Sequence, residues 1–221
     1  AQKDTRPRAE DHSELLEKTL ERENMKRAYQ RVKQNEGAPG VDGMDTAALA
    51  GYLKTNWEQI KEQRRTGAYR PHPVKRVDIR EPGGGKRALG IPTVLDRLIQ
   101  QALLQTLTPI FDPHFSPESY GFRPGKRAHD AIRRAQEHIR EGCRFVVDMD
   151  LEKFFDRVNH DILMGRLQKR IEDGGILRLI RAYLNSGIMH NGVVMTREKG
   201  TPQGGPVWTL VGQELQGTEE K

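Results

Sequence analysis

One carboxylate in the middle of the chain has the setting of a catalytic residue. Residues 144–149 are rich in β-prone side chains and predict a buried strand, with Asp150 at its end. A carboxylate fixed at a strand end suits two-metal phosphoryl transfer, because the metals must be held against the attacking and leaving oxygens. Asp148 would point to the opposite face of the strand and is interpreted as structural. Taken alone, Asp150 is better explained as a turn-capping residue.

A second set of residues carries positive charge on a predicted hairpin. Residues 74–79 alternate as a strand, a glycine-rich turn follows, and residues 86–91 predict the return strand. Lys75, Lys86 and Arg87 on this hairpin could hold a triphosphate and neutralise charge in a transition state. The competing interpretation is a solvated basic hairpin.

The charge of the chain is unevenly distributed. The net charge is +6, and residues 60–144 hold 17 Lys or Arg against 9 Asp or Glu, a net +8, so the remainder sums to −2. A basic middle segment indicates a polyanionic partner, most simply nucleic acid, although a solvated basic face explains the composition equally well. Cys143 is the only cysteine, which excludes an internal disulfide and a thiolate cluster. The sequence shows no signal peptide and no apolar run of membrane-spanning length, so the expected location is the reducing cytoplasm.

The remaining periodicities predict an α+β fold with an antiparallel sheet surrounded by helices. Thr93 and Asp96 form an acidic variant of a capping box ahead of one helix, and Asn159 caps another. Asn191-Gly192 predicts the turn of a second hairpin in residues 187–199. The predicted helices are 13–35, 46–63, 93–109, 127–141, 159–167 and 176–185.

Five segments, in order, resemble the motifs of a bacterial group II intron reverse transcriptase, the intron-encoded maturase. They are Gly37 to Gly43, Ile79 to Pro92, Ser119 to Gly125, Asp148 to His160 and Gly200 to Pro206. The resemblance covers nearly all of residues 13–206. It implies a fold made of the fingers and part of the palm of such an enzyme.

The resemblance also assigns roles to single residues. Asp150 matches the first metal-binding aspartate, which would bind two Mg²⁺ ions with help from the carbonyl of Leu151. Phe155 matches the gate under the incoming sugar, which selects deoxynucleotides by excluding a 2′-hydroxyl. The other residues implied to bind nucleotide are Lys75, Arg87 and Gln203, and those implied to bind template or RNA are Arg123, Lys126, Arg127, Gly204 and Gly205. From its chemistry alone, Arg123 could equally brace the fold.

The chain departs from the family pattern at two places. Glu81 stands where the family carries a cation near the nucleotide. After Pro206 the sequence does not match the expected helix, and the Tyr-Ala-Asp-Asp hairpin that would supply further metal-binding carboxylates does not occur. The predicted organisation is a frayed segment 1–12, an N-terminal extension with fingers at 13–140, a partial palm at 141–206 and a non-family tail at 207–221.

The implied function is RNA-directed DNA synthesis from deoxynucleotides, with intron RNA, an RNA template and a DNA primer as partners and no membrane. Binding of the intron RNA would support splicing and mobility, and a homodimer stays open. Because Asp150 lacks partner carboxylates, this chain is not expected to polymerise alone. The alternatives are a non-catalytic RNA-binding module and a reverse transcriptase of the retron or defence type.

Overall fold

The computed structural model describes residues 14–80, 84–151, 153–202 and 204–216. The helices are α1 (Leu15–Leu20), α2 (Arg22–Gln34), α3 (Leu49–Arg65), α4 (Val94–Phe111), α5 (Ala128–Arg140), α6 (Phe154–Arg157), α7 (His160–Leu167), α8 (Gly174–Leu184) and α9 (Val207–Gln216). The strands are β1 (Val74–Arg80), β2 (Lys86–Ile91), β3 (Ile188–His190) and β4 (Val193–Met195). The segment 1–12, predicted to be frayed, lies outside the described residues.

The core forms around α4, which is apolar on most of its surface. Leu98, Ile99 and Leu103 are almost completely buried, and α1, α2 and α9 pack against this helix. A helix that is apolar on nearly every face must be enclosed by other elements, as α4 is. The predicted cap is confirmed, since the hydroxyl of Thr93 accepts a hydrogen bond from the backbone N–H of Asp96.

The four strands form one sheet in the order β2-β1-β3-β4. Both predicted hairpins are confirmed, because β1 pairs antiparallel with β2 and β3 pairs antiparallel with β4. A short parallel pairing between β1 and β3 joins the two hairpins, with Val74 opposite Ile188. Asn191 and Gly192 both adopt positive φ in the turn between β3 and β4, as the Asn-Gly pair predicts. The α+β class is thus confirmed.

The predicted helix 13–35 is interrupted at Glu21, where the backbone is extended and separates α1 from α2. The Asn24 side chain donates hydrogen bonds to the carbonyls of Thr19 at 2.9 Å and Ala102 at 3.0 Å. The side chain of Asn24 therefore satisfies the carbonyl of Thr19, which the break leaves without a helical partner. The same side chain joins this turn to Ala102 in α4. Apolar periodicity predicts the helical character of this segment but gives no signal for the tertiary interaction that accompanies the break.

The predicted buried strand at 144–149 is wrong. These residues form no strand, and Phe145 is 94% exposed and Val146 88% exposed. A strand needs a neighbouring backbone to satisfy its N–H and C=O groups. Among the described residues no strand lies beside this segment, so its β-prone side chains have neither a ladder nor an apolar face to join. Asp148 and Asp150 are consequently on an exposed, irregular segment.

Residues 207–216, for which the sequence motifs predict no element, form α9. Val207, Trp208 and Val211 lie in the main apolar cluster, which is shared with α4, α7 and α8. In the described parts of the chain, no helix combines the length and the apolar composition needed to cross a bilayer.

Asp96 joins the start of α4 to the segment that precedes β1. Its carboxylate accepts hydrogen bonds from the hydroxyls of Tyr69 and Thr93, both at 2.7 Å, and from the backbone N–H of His72 at 3.2 Å. Nδ1 of His72 lies 3.7 Å from the same carboxylate. Interaction with Asp96 raises the pKa of His72 above its ordinary value of 6.5.

This raised pKa predicts a pH-dependent stability. A group whose pKa is raised in the folded state contributes stability below its unfolded pKa, here 6.5, and loses it as pH rises through the folded pKa. The side chain of His72 is half exposed, so screening should keep the effect below about 1 kcal/mol. Urea unfolding of the chain between about pH 5 and about pH 8 should show this decline. The decline should shrink in His72→Gln and persist in His129→Gln, an exposed control on α5. An unchanged profile in His72→Gln would contradict the assignment.

Candidate nucleic-acid interface

A groove of about 980 Å³ runs between α2, α4, α9 and the loop before α5. We call it the template groove and define it by its polar and loop residues. They are Arg27, Gln30, Arg31, Gln34, Asn35, Gln101, Gln105, Thr108, Asp112, Phe122, Arg123, Pro124, Gly204, Gly205, Pro206, Thr209 and Gln213. The lining of the groove thus includes the glycines that the sequence assigned to template binding.

The charge of the template groove is positive. Arg27 and Arg31 lie one turn apart on α2 and are both exposed. Asp112, the acidic residue among the described groove residues, forms an ion pair with Arg123 at 2.8 Å. The two α2 arginines therefore add positive charge that Asp112 does not neutralise, in a groove of a size that accepts an extended ligand.

The glycine loop at 204–205 is fixed by close backbone packing. Gly204 has φ of +129°, and a Cβ there would lie 2.6 Å from the carbonyl oxygen of Gly90 in β2. A Cβ on Gly205 would lie 2.8 Å from the indole of Trp208. Only glycine permits this approach, so the loop is held between the β1–β2 hairpin and α9.

The Asp150 motif, residues 148–160, is joined through hydrogen bonds to residues 200–201, which lie just before the glycine loop. The N–H of Thr201 donates to the carbonyl of Phe155, and the N–H of Gly200 donates to the carbonyl of Val158, both at 2.7 Å. The buried ring of His160 donates through Nε2 to the carbonyl of Gly200 at 2.7 Å. The structure therefore brings together two motifs that are about forty residues apart in the sequence.

Phe155 belongs to α6, is half-buried, and directs its ring toward α9. Its ring meets that of Phe154 edge to face, with centroids 5.3 Å apart. A Cβ on Gly212 would lie 3.1 Å from Cε1 of Phe155, so a glycine in α9 leaves room for the ring. This packing holds the ring against α9.

Lys75 and Arg87 share one face of the β1–β2 hairpin. Lys75 lies opposite Ile91 and Arg87 opposite Ile79, and residues two apart along a strand point to the same side. Leu89 lies between them on this face, with its Cδ1 3.3 Å from the Cβ position of Gly204. Both cations are exposed. The side chain of Lys86 and all of Glu81 and Gln203 lie outside the described part of the structure.

The predicted metal ligands are not assembled into a metal site. Asp150 is exposed, and the carbonyl of Leu151 accepts a hydrogen bond from the N–H of Phe154 at 3.2 Å. Within the described residues, no three His, Cys, Asp or Glu side chains come close enough together to hold a metal ion. Two Mg²⁺ ions need several carboxylate or carbonyl oxygens, so these residues do not fit a two-metal site by themselves.

Arg123 is occupied by the protein itself. Its Nη2 donates to the carbonyl of Asp112 at 2.9 Å, and Nη1 donates to the carbonyls of Ser116 and Ser119. With the Asp112 ion pair, every guanidinium nitrogen has a partner, which favours the bracing role over phosphate binding. Lys126 donates to the carbonyl of Pro117 at 2.7 Å and lies 4.7 Å from the centre of the Tyr120 ring.

Arg127 precedes α5 and is exposed, and its backbone N–H donates to the Asp130 carboxylate at 3.0 Å. The residues that sequence reasoning missed are Arg27 and Arg31. Their i, i+4 spacing on the polar side of a predicted helix was a usable signal. It could not be connected to the glycine loop without the tertiary structure.

Comparison with known proteins shows which class of protein has this fold. Residues 79–209 match the family model described as reverse transcriptase (RNA-dependent DNA polymerase), and the chain belongs to that family. It is 35% identical over 179 residues to the group II intron-encoded protein LtrA of Lactococcus lactis, with 80% of this chain and 30% of LtrA covered. The resemblance to group II intron reverse transcriptases is thereby confirmed.

Two further similarities agree with this class. The chain is 34% identical over 178 residues to protein YkfC of Escherichia coli, covering 78% of this chain and 46% of YkfC. A solved structure titled partial Cas6-RT-Cas1–Cas2 complex superposes with a TM-score of 0.63 at 24% identity, covering 91% of this chain and 34% of that one. The similarity to this solved structure concerns the fold alone, because the sequence identity is only 24%. The chain spans less than half the length of these curated relatives.

Proposed function

We propose that this chain forms the fingers and part of the palm of a group II intron reverse transcriptase and maturase. The protein would copy an RNA template into DNA from a DNA primer and would bind its intron RNA to support splicing and mobility. These partners also lead us to expect a cytoplasmic location. One observation carries the proposal: the glycine loop lines the basic template groove, and residues 200–201, just before this loop, are hydrogen-bonded to the Asp150 motif.

The proposed nucleotide site lies on the other side of the same loop. Lys75 and Arg87 would face the triphosphate from the β1–β2 hairpin, and Gln203 would contact the nucleotide. Phe155 would select deoxynucleotides by its bulk. We propose that Asp150 and the carbonyl of Leu151 contribute ligands to a Mg²⁺ site, and that Gly204 and Gly205 line the template, with Lys126 and Arg127 on its basic flank. Mg²⁺ would supply charge neutralisation during phosphoryl transfer.

The first test concerns the template groove. Arg27→Gln with Arg31→Gln should weaken binding of an RNA template annealed to a DNA primer by about tenfold and should reduce the salt slope by about one to two. The size of the effect follows from removing two cations that would each neutralise a backbone phosphate. Fluorescence anisotropy between about 50 mM and about 200 mM salt measures both quantities.

The same helix offers a matched control. Arg22 and Lys26 have the same i, i+4 spacing and are exposed, but they line a different cavity beside Trp57. Arg22→Gln with Lys26→Gln removes the same charge and should leave the affinity nearly unchanged. Equal reductions in affinity in the two double variants would show nonspecific electrostatics and remove the groove from the proposal.

The lack of an assembled metal site among the described residues predicts that this chain binds RNA without catalysing DNA synthesis. Since the described residues assemble no metal site, the 221-residue chain should bind RNA in a salt-dependent manner without extending a primer in the presence of Mg²⁺. The same result is expected of a non-catalytic RNA-binding module. Robust incorporation of deoxynucleotides by this chain, abolished in Asp150→Ala, would contradict the prediction and establish the enzyme.

A further inference from the structure

A second basic cavity lies on a different face of the molecule. It has a volume of about 490 Å³ and lies between the end of α3, the segment 67–71 and α8. Four arginines line it, namely Arg64, Arg70, Arg178 and Arg181. None of the described residues that line it is acidic, and it shares none of them with the template groove.

Arg64 is the unusual member of this set, because it is buried and its guanidinium makes no hydrogen bond of ordinary geometry. Its exposure is 3%, and Nε, Nη1 and Nη2 have no such bond to the described residues. The Tyr69 side chain interacts with the guanidinium and favours its charged form. The guanidinium lies 4.8 Å from the centre of the Tyr69 ring, which offsets part of its charge. Buried guanidinium donors are ordinarily paired, since a buried charge without hydrogen bonds is strongly destabilising.

Asp96 is not the missing hydrogen-bond partner of Arg64. Its charge acts on Arg64, but its carboxylate oxygens accept their hydrogen bonds from Tyr69, Thr93 and the backbone of His72. Asp96 therefore leaves the donors of Arg64 without a hydrogen-bond partner, and Arg64 lines the cavity.

The other arginines extend the positive charge from Arg64 to the surface. Arg181 uses Nη2 in an ion pair with Asp161 at 2.6 Å, and its Nη1 is buried without a partner among the described residues. Arg178 is exposed and passes close to Gly67 and Gly174, 3.4 Å and 3.2 Å from their Cβ positions. Arg178 also lines an adjoining cavity, and the acidic residues there reduce its net contribution of positive charge. They are Glu17, Glu62, Glu172 and Asp173.

We propose that this arginine cavity is a phosphate-binding site. The planar donor fork of a guanidinium matches the oxygens of a phosphate group, and a buried arginine with exposed arginines at the entrance both attracts and desolvates the anion. The ligand is a phosphate group, either of an RNA backbone or of free inorganic phosphate. The inference does not depend on polymerase activity, because the cavity is separate from the template groove.

Thermal unfolding of the 221-residue chain in inorganic phosphate, compared with chloride at equal ionic strength, tests the site. Phosphate should raise the Tm by about 3 °C, and the shift should disappear in Arg64→Met and decrease in Arg178→Gln. Arg65→Gln is the matched control, since Arg65 is the next residue of α3 but pairs with Glu17 outside the cavity. If Arg64→Met does not fold, Arg178→Gln with Arg181→Gln replaces it. No shift in the wild type, or an equal shift in the cavity variants, would overturn the proposal.

A second arm identifies the source of the phosphate group. If an RNA backbone is the ligand, Arg178→Gln weakens RNA binding, and inorganic phosphate weakens wild-type binding more than chloride of equal ionic strength does. If free phosphate is the ligand, RNA affinity is the same in the wild type and Arg178→Gln while the Tm shift still depends on the cavity. Both outcomes support the site, and a cavity variant that retains the full Tm shift rejects it.

Discussion

Trp208→Ala is expected to lower the free energy of unfolding by about 3–5 kcal/mol, as large aromatic deletions in packed cores do. Trp208 is 2% exposed and lies in the main apolar cluster, where α9 packs on α4. The decrease should combine the transfer energy of the indole with the cavity left between these helices. Chemical denaturation followed by circular dichroism measures the change.

Trp57→Ala provides the control for this deletion. The chain has two tryptophans, and Trp57 is only partly buried against the core from α3. Its removal deletes the same side chain but should cost clearly less. If both variants are destabilised equally, or if Trp208→Ala costs less than about 1 kcal/mol, α9 is not an integral part of the core.

Gly204→Ala is expected to have the second large effect, on stability and on RNA binding together. The φ of +129° is strained for any L-residue, at a cost of about 1–3 kcal/mol, and the added Cβ would lie 2.6 Å from the carbonyl oxygen of Gly90. The loop must therefore move away from β2. Because it lines the template groove, affinity for RNA annealed to DNA should fall by about tenfold.

Gly142→Ala separates the effect of backbone strain from that of the steric clash. Gly142 also has a positive φ, at +104°, but a Cβ there would meet no atom within 4 Å. This control should show a modest decrease in stability and unchanged RNA affinity. An RNA affinity that falls equally in both variants would show that global destabilisation, rather than displacement of the loop, explains the effect.

Local signals in the sequence are sufficient for the elements whose causes are local. The hydroxyl of Thr93 and the amide of Asn159 cap the helices that they are predicted to cap, because capping involves only the next three residues. The Asn191-Gly192 turn forms for the same reason, since both residues adopt the positive φ that the turn requires.

The predictions that fail depend on partners that are distant in the sequence. Val146 and Val147 have the composition of a strand, but among the described residues no neighbouring strand pairs with them. Residues 207–216 are a different case, because the sequence motifs predict no element there although the family model extends to residue 209. Their own apolar pattern, with Val207, Trp208 and Val211 on one side, indicates a buried helix.

The candidate site also contains some features that the sequence predicts and others that depend on tertiary packing. The sequence predicted a role for Gly204 and Gly205, and the structure places them between the β1–β2 hairpin and α9. It could not show that Arg123 is saturated by Asp112 and neighbouring carbonyls, nor that Arg27 and Arg31 line the same groove as the glycine loop. Those facts depend on how α2 and the segment before α5 pack on α4.

The most direct test of the proposed template groove is to map where a template–primer contacts the chain. Ultraviolet crosslinking of an RNA template annealed to a DNA primer, followed by mass spectrometry of the peptides, locates the interface without relying on activity. We expect crosslinks in the peptides that carry Arg27 to Asn35, Phe122 to Pro124 and Gly204 to Gln213. Crosslinks that reproducibly spare all three peptides would contradict the proposed interface.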